Sequence, residues 1–250
     1  MLFRLNPYLS IKRRINRVLR ITLRKKEVKV HGVTVPLDLV TDRLALKLID
    51  RRTYEGEEAA LVNHYVARGS TVIELGASLG IISSVIGQLA PVRLLCVEAL
   101  PELVAVAQRM LARNCPAVRY KVIQCAIAPT DGTIPFECAQ GGSLTGKVVN
   151  SLANKRAIEL PARRLSTLLA QEGVDDPFYL VCDIEGMEVA LFLDDAVAFA
   201  RCAGLVLESH STEYQGRKFS PDEIFRLCES LGFELVERRK NVGYLKRIVI

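Results

Sequence analysis

From Ser70 onward the chain alternates short apolar runs with helical stretches, and this alternation limits its fold more than any other feature. Thr71–Leu75, Val92–Val97, Val118–Ala128, Phe178–Asp183 and Gly204–Glu208 read as strands. Gly80–Leu89, Pro101–Arg113, Glu188–Phe199 and Pro221–Leu231 read as helices, the last opened by Ser220-Pro221. Strands this apolar are buried on both faces, which is the signature of a parallel sheet covered by helices on each side. Phe233–Glu237 and Val242–Ile250 are expected to end the chain as an antiparallel strand pair. The irregular segment Cys138–Leu160, with Gly141, Gly142, Ser143 and Gly146, is expected to be a mobile loop near the site.

Ahead of this pattern, Lys26–Val30 and Val33–Leu37 flank His31-Gly32 as a hairpin. Two helices follow, the first capped by Thr41 or Asp42 and the second spanning Glu55–Ala67 and ending at Gly69. Residues 8–24 have the spacing of an amphipathic helix, with Ile11, Ile15, Val18 and Leu19 on one face and Arg13, Arg17, Arg20 and Arg24 on the other. The expected organisation is an N-terminal extension over 1–69 and a ligand-binding, catalytic domain over 70–250.

The formal net charge of +6 is misleading as a sign of nucleic-acid binding. Residues 1–26 hold nine basic side chains and no acid, so the remainder is slightly acidic. A field confined to one arm steers an anionic partner but does not describe the active site. The arm is read either as a helix packed on the domain or as a peripheral contact for an anionic membrane surface or acidic partner. No apolar run approaches the roughly 20 residues of a membrane helix. The seven cysteines are scattered without metal-ligand spacing, which fits a reducing compartment and a cytoplasmic protein.

The chemistry is concentrated at strand ends. The first strand runs into Glu74-Leu75-Gly76-Ala77-Ser78-Leu79-Gly80. Gly76 allows a sharp turn and close approach of a ligand, and Gly80 is expected to pack the helix start against the strand. The loop is neither G-x-G-x-x-G nor a P-loop. An acid precedes its first glycine, which would repel a pyrophosphate and tolerate a cationic amino-sulfonium ligand. The second strand ends at Glu98, placed to accept hydrogen bonds from both hydroxyls of a ribose. Strand, glycine turn, helix, strand and acid together indicate a nucleoside-bearing cofactor.

At this point the chain resembles the FkbM family of class I S-adenosylmethionine-dependent methyltransferases, which are associated with O-methylation of sugars, polyketides and related metabolites. The resemblance runs from about Tyr54 to Val249. It rests on Tyr54-Glu55-Gly56-Glu57, the 72–83 turn, Val97-Glu98-Ala99-Leu100-Pro101-Glu102, the stretch 124–132, Asp183-Ile184-Glu185-Gly186-Met187-Glu188 and Val206-Leu207-Glu208-Ser209-His210. Where the family commonly has D-x-G-A-N, this chain has Glu74 and Ser78. The resemblance implies a Rossmann-like class I methyltransferase fold and an S-adenosylmethionine cofactor. It implies that Glu74, Gly76, Ala77, Ser78, Gly80 and Ser83 border the amino-acid half of that cofactor. Glu98 and Ala99 would lie at the ribose, Cys125 and Ala126 along the adenine, and Tyr54 and Glu57 over the site.

Transfer to an alcohol needs a base, because a neutral hydroxyl is a weak nucleophile. Asp183, Glu185, Glu208 and His210 are the candidates, with His210 or Asp183 favoured. Asp183, Glu208 and His210 could instead hold one divalent cation that acidifies the acceptor hydroxyl, and the sequence leaves the choice open. The expected acceptor is a sugar, glycan or related small metabolite. An RNA methyltransferase using the arm and a non-catalytic binding scaffold are the rival readings, and the oligomeric state is open.

Overall fold

The computed structural model describes residues 26–41, 43–138, 146–148 and 157–248. The chain opens with a hairpin of β1 (Glu27–Val30) and β2 (Val33–Pro36). Its turn residues His31 and Gly32 both have positive φ, as a two-residue turn matching strand twist requires. Two helices follow, α1 (Arg43–Arg51) and α2 (Gly56–Tyr65). The expected basic helix over 8–24 and the cap Asp42 lie outside the described residues.

The alternating region then unfolds as β3 (Thr71–Leu75), α3 (Ile81–Gly87), β4 (Arg93–Glu98), α4 (Pro101–Asn114), β5 (Tyr120–Gln124) and β6 (Ala126–Ile127). An inserted segment supplies β7 (Gly132–Cys138), β8 (Gly146–Val148) and β9 (Ala157–Arg163), followed by α5 (Leu165–Gln171). The sheet resumes with β10 (Phe178–Cys182), α6 (Glu188–Asp194) and β11 (Cys202–Glu208). A small hairpin, β12 (Thr212–Tyr214) and β13 (Arg217–Phe219), precedes α7 (Pro221–Ser230), β14 (Phe233–Arg239) and β15 (Val242–Arg247). Ser220 opens α7 with a full capping box, its side chain and that of Glu223 each satisfying the other's main-chain amide.

Seven strands form the central sheet in the order β14-β15-β11-β10-β3-β4-β5. The strands from β11 to β5 are parallel, while β15 lies antiparallel between β11 and β14. The expected C-terminal pair is therefore present, and it is β15 alone that runs against the rest. Strand order reverses between β3 and β10, which leaves a crevice beyond their carboxyl ends.

Side chains alternate across the sheet: Val72 joins the apolar cluster on one face, and Ile73 and Leu75 join the cluster on the other. The first cluster contains α2, α3 and α4 and also the hairpin residues Val30, Val33 and Val35. Asn114, at the end of α4, fixes β2 by accepting from the Thr34 amide and donating to its carbonyl oxygen, at 2.9 and 3.0 Å. The opposite face is covered by α5, α6 and α7 through Leu165, Leu168, Val189, Phe192, Ile224 and Phe225.

The structure departs from the sequence expectation in two places. Part of the segment expected to be an irregular loop is strand: β7 pairs antiparallel with β9 and with β8, and β9 pairs with β6. Residues 139–145 and 149–156 lie outside the described residues. The expected single helix over Glu188–Phe199 ends at Asp194 and continues as a separate 3-10 turn, Ala196–Phe199. Among the described residues no helix is long and apolar enough to cross a membrane.

Candidate active site

The crevice at the β3/β10 switch point opens into a cavity of about 430 Å³, a size suited to a small-molecule ligand. One wall is the glycine turn. Gly76 has φ 89°, and its amide donates to the Val97 carbonyl oxygen at 2.9 Å. A Cβ there would run into the main-chain carbonyl oxygen of Asp183, so glycine is required both by backbone conformation and by the contact between the two strand ends.

Glu98 closes the turn from the neighbouring strand. Its Oε2 accepts from the Ser78 amide at 2.8 Å and its Oε1 from the Leu100 amide at 2.9 Å. Burial raises its pKa while these main-chain donors pull it down, with a net rise. Each carboxylate oxygen keeps a second lone pair for a ligand hydroxyl. Gly76, Ser78, Glu98, Ala99, Cys125, Ala126, Tyr54 and Glu57 all line the cavity, together with Leu100, Ile127 and Phe136. The side chain of Glu57 forms an ion pair with Lys240 at the rim, and this partner lowers its pKa.

Glu74, Ala77, Gly80 and Ser83 do not line the cavity. Glu74 is 2% exposed and accepts a 2.5 Å hydrogen bond from the buried Ser83 hydroxyl. Burial lifts its pKa to about 7, against the lowering effect of Ser83. The pair braces the turn from behind. Gly80 does not seat the helix start on the strand as expected; a Cβ there would lie 2.8 Å from Ala107 Cα, so it admits α4 instead.

The other wall is acidic. Asp183 follows β10 and Glu208 ends β11, so their side chains emerge from adjacent parallel strands. His210 Nε2 lies 3.8 Å from Asp183, 3.6 Å from Glu185 and 3.9 Å from Glu208. Its Nδ1 is 2.9 Å from Oε1 of the fully buried Glu188. Burial opposes the imidazolium, but the Glu188 hydrogen bond and the Asp183 charge outweigh it and hold His210 at about 9. Burial, reinforced by Glu208, raises the Asp183 pKa well above the usual carboxylate range. Glu185 and Glu208 are also raised, again chiefly by burial. Asp183 does not cap the following helix: α6 starts from Met187 with no side-chain cap, and Oδ1 of Asp183 is buried without a hydrogen-bond partner.

Two further acids enter the cavity, Glu55 and Glu58, neither of which is marked out by the sequence motifs as a site residue. Burial and the Asp183 charge raise the Glu55 pKa well above its usual value. Glu55, Ser78, Glu185 and Lys240 all line the cavity and all have positive φ. Such conformations are costly outside glycine and gather at functional sites. Ligand atoms of Asp183, Glu185 and His210, and separately of Glu58, Asp183 and Glu208, lie within 4.8 Å of one another. The trio expected as a cation site, Asp183, Glu208 and His210, is thus divided between two overlapping groups.

A strand order that reverses beside a glycine turn, with an acid ending the next strand, defines a Rossmann-like nucleoside-binding fold. The chain belongs to the FkbM methyltransferase family: the family model for the methyltransferase FkbM domain matches residues 76–235. No curated protein sequence matches the chain. Among solved structures, magnesium protoporphyrin IX methyltransferase from Synechocystis PCC 6803 with bound SAH is 12% identical, with 84% of this chain and 89% of that one covered and a TM-score of 0.47. A protein of the NADB-Rossmann superfamily from Streptococcus agalactiae is 11% identical, covering 78% and 70%, with a TM-score of 0.46. The ribosomal protein L11 methylase from Lactobacillus delbrueckii subsp. bulgaricus is 12% identical, covering 78% and 80%, with a TM-score of 0.45.

Proposed function

We propose that the protein is an O-methyltransferase acting on a hydroxyl of a sugar, glycan or related secondary metabolite, with Asp183 as general base. The observation that supports this most is the position of Asp183. Its carboxylate, with one oxygen unpartnered, faces the cavity from the strand end next to Gly76.

When bound, S-adenosylmethionine supplies a methyl group activated by its sulfonium. The residues present fit that group: bare backbone at Gly76, an acceptor pair at Glu98 and the apolar Ile127 and Phe136 for a base. Asp183 takes the hydroxyl proton at its carboxylate as the acceptor oxygen becomes nucleophilic. A carboxylate whose pKa is raised is a stronger base than an ordinary one. His210 carries a proton at neutral pH because its pKa is about 9, and its charge partly offsets the burial that raises the Asp183 pKa. The base is then Asp183, not His210.

The acid-lined cavity disfavours a nucleic-acid acceptor, whose phosphates it would repel. The arm 1–26 is assigned in this proposal to peripheral contact with an anionic surface or acidic partner.

The test is conversion of S-adenosylmethionine to S-adenosylhomocysteine with a panel of glycans, hydroxylated metabolites and RNA. Methylated product only from hydroxyl acceptors, lost in Asp183→Asn, is the expected result. Transfer to RNA or to an amine would refute the assignment.

A further inference from the structure

Glu58 has no part in the chemistry above, and its surroundings are abnormal for a glutamate. It sits in the first turns of α2, is only 4% exposed and lines the cavity. Among the described residues no donor hydrogen-bonds to its carboxylate. The groups that bear on it most are other carboxylates: Glu55, Asp183, Glu74 and Glu208. Buried carboxylates are ordinarily paired with a cation or bound to a metal, and among the described residues this one has no cationic partner.

We infer that Glu58, Asp183 and Glu208 form a binding site for one divalent cation. Oxygens of the three lie within 4.8 Å of one another. Oxygens around one calcium-sized ion, each at about 2.3–2.6 Å, stand at most about 5 Å apart, so the spread of the three is compatible with a single ion. Asp183 also has an oxygen, Oδ1, that is buried without a hydrogen-bond partner. His210 does not meet this need, because its Nδ1 is engaged by Glu188 and its Nε2 stays 3.8 Å from Asp183 and 3.9 Å from Glu208. Three carboxylates select a hard cation such as magnesium, manganese or calcium over zinc or copper.

The site draws its ligands from three separate elements: α2, the turn after β10, and the end of β11. The ion therefore ties the N-terminal helix to the strand ends that form the acid wall. Binding of the ion does not depend on the proposed function. Only its role does: under that reading the ion takes the acceptor hydroxyl as a further ligand and lowers its pKa.

The test uses the full chain stripped with a chelator and titrated with manganese chloride, free manganese being followed by electron paramagnetic resonance without cofactor or acceptor. One saturable ion per chain is expected, competed by magnesium or calcium. Glu58→Gln and Glu208→Gln should each weaken it by about 10-fold or more, the loss that even an outer-shell partner of a metal site causes. Glu185→Gln should leave it within a few-fold. Thermal unfolding supplies a second readout: the metal-induced rise in Tm seen in the native chain should vanish in Glu58→Gln, whose metal-free Tm is no lower. No saturable manganese in the native chain overturns the inference, as does binding that Glu185→Gln abolishes and Glu58→Gln leaves intact. Heat from a simple amine such as ethanolamine, with none from manganese, would assign the acids to a cationic acceptor instead. Loss of methyl transfer with manganese binding intact would count against the proposed function and not against the ion.

Discussion

Gly76 and Asp183 meet across the switch point of the sheet. A side chain on Gly76 would collide with the Asp183 carbonyl oxygen, while the Asp183 amide donates to the Leu75 carbonyl oxygen at 2.9 Å. The glycine turn proposed to approach the cofactor and the turn that presents the proposed base are thus a single packed unit. Whatever displaces one displaces the other.

Gly76→Ala should consequently harm both cofactor binding and folding. Alanine at φ 89° is strained, and the collision adds to it, so a loss of about 2–4 kcal/mol is expected. Urea unfolding together with calorimetry using S-adenosylhomocysteine checks this. Native stability with native affinity would mean that the two turns are not coupled.

Glu74 gives a pH dependence that has nothing to do with turnover. Its folded pKa is about 7 against an ordinary 4.5. Between those values the unfolded chain has released the proton and the native chain still holds it, so stability falls as pH rises and levels off above about 7. The shift corresponds to a contribution on the order of 3 kcal/mol. Glu74→Gln should remove this part of the slope between about pH 5 and pH 8 while keeping an acceptor for Ser83. Equal slopes in variant and native chain, measured by urea unfolding, would show that Glu74 does not titrate there.

The β3–α3–β4 unit and its acid Glu98 were legible because their signals are local: an apolar run, glycines at fixed spacing and an acid at a strand end. The same holds for the cluster after β10 and β11, where adjacent strand ends bring Asp183, Glu208 and His210 together. What could not be read depends on which way side chains face after packing. Glu74 and Ser83 satisfy each other behind the turn, and Gly80 makes room for Ala107 on a helix twenty-odd residues away. Glu58 stands beside Glu57 at a helix start, where two acids look like a solvated face; Ala59, Leu61 and Val62, buried on α2, were the available hint that part of this turn points inward. In β7 and β9, Pro135 and Pro161 interrupt the pattern that marks a strand.

Asp183→Asn separates binding from chemistry. Asparagine keeps the size and the main-chain contacts but cannot take a proton, so kcat should drop by about 10²–10⁴-fold. Affinity for S-adenosylhomocysteine should stay within a few-fold of native. A kcat close to native would remove Asp183 from the role of base.

The most direct measurement is calorimetry of the full chain with S-adenosylhomocysteine and, separately, with NAD. One saturable site for the first ligand and no heat from the second are expected. Glu98→Ala, which strips the turn of its acceptor for the Ser78 and Leu100 amides, should weaken that site by about 100-fold, equivalent to about 2.7 kcal/mol. Binding of NAD in place of S-adenosylhomocysteine, or affinity for the latter unchanged by Glu98→Ala, would contradict a sulfonium nucleoside held between the Gly76 turn and Glu98.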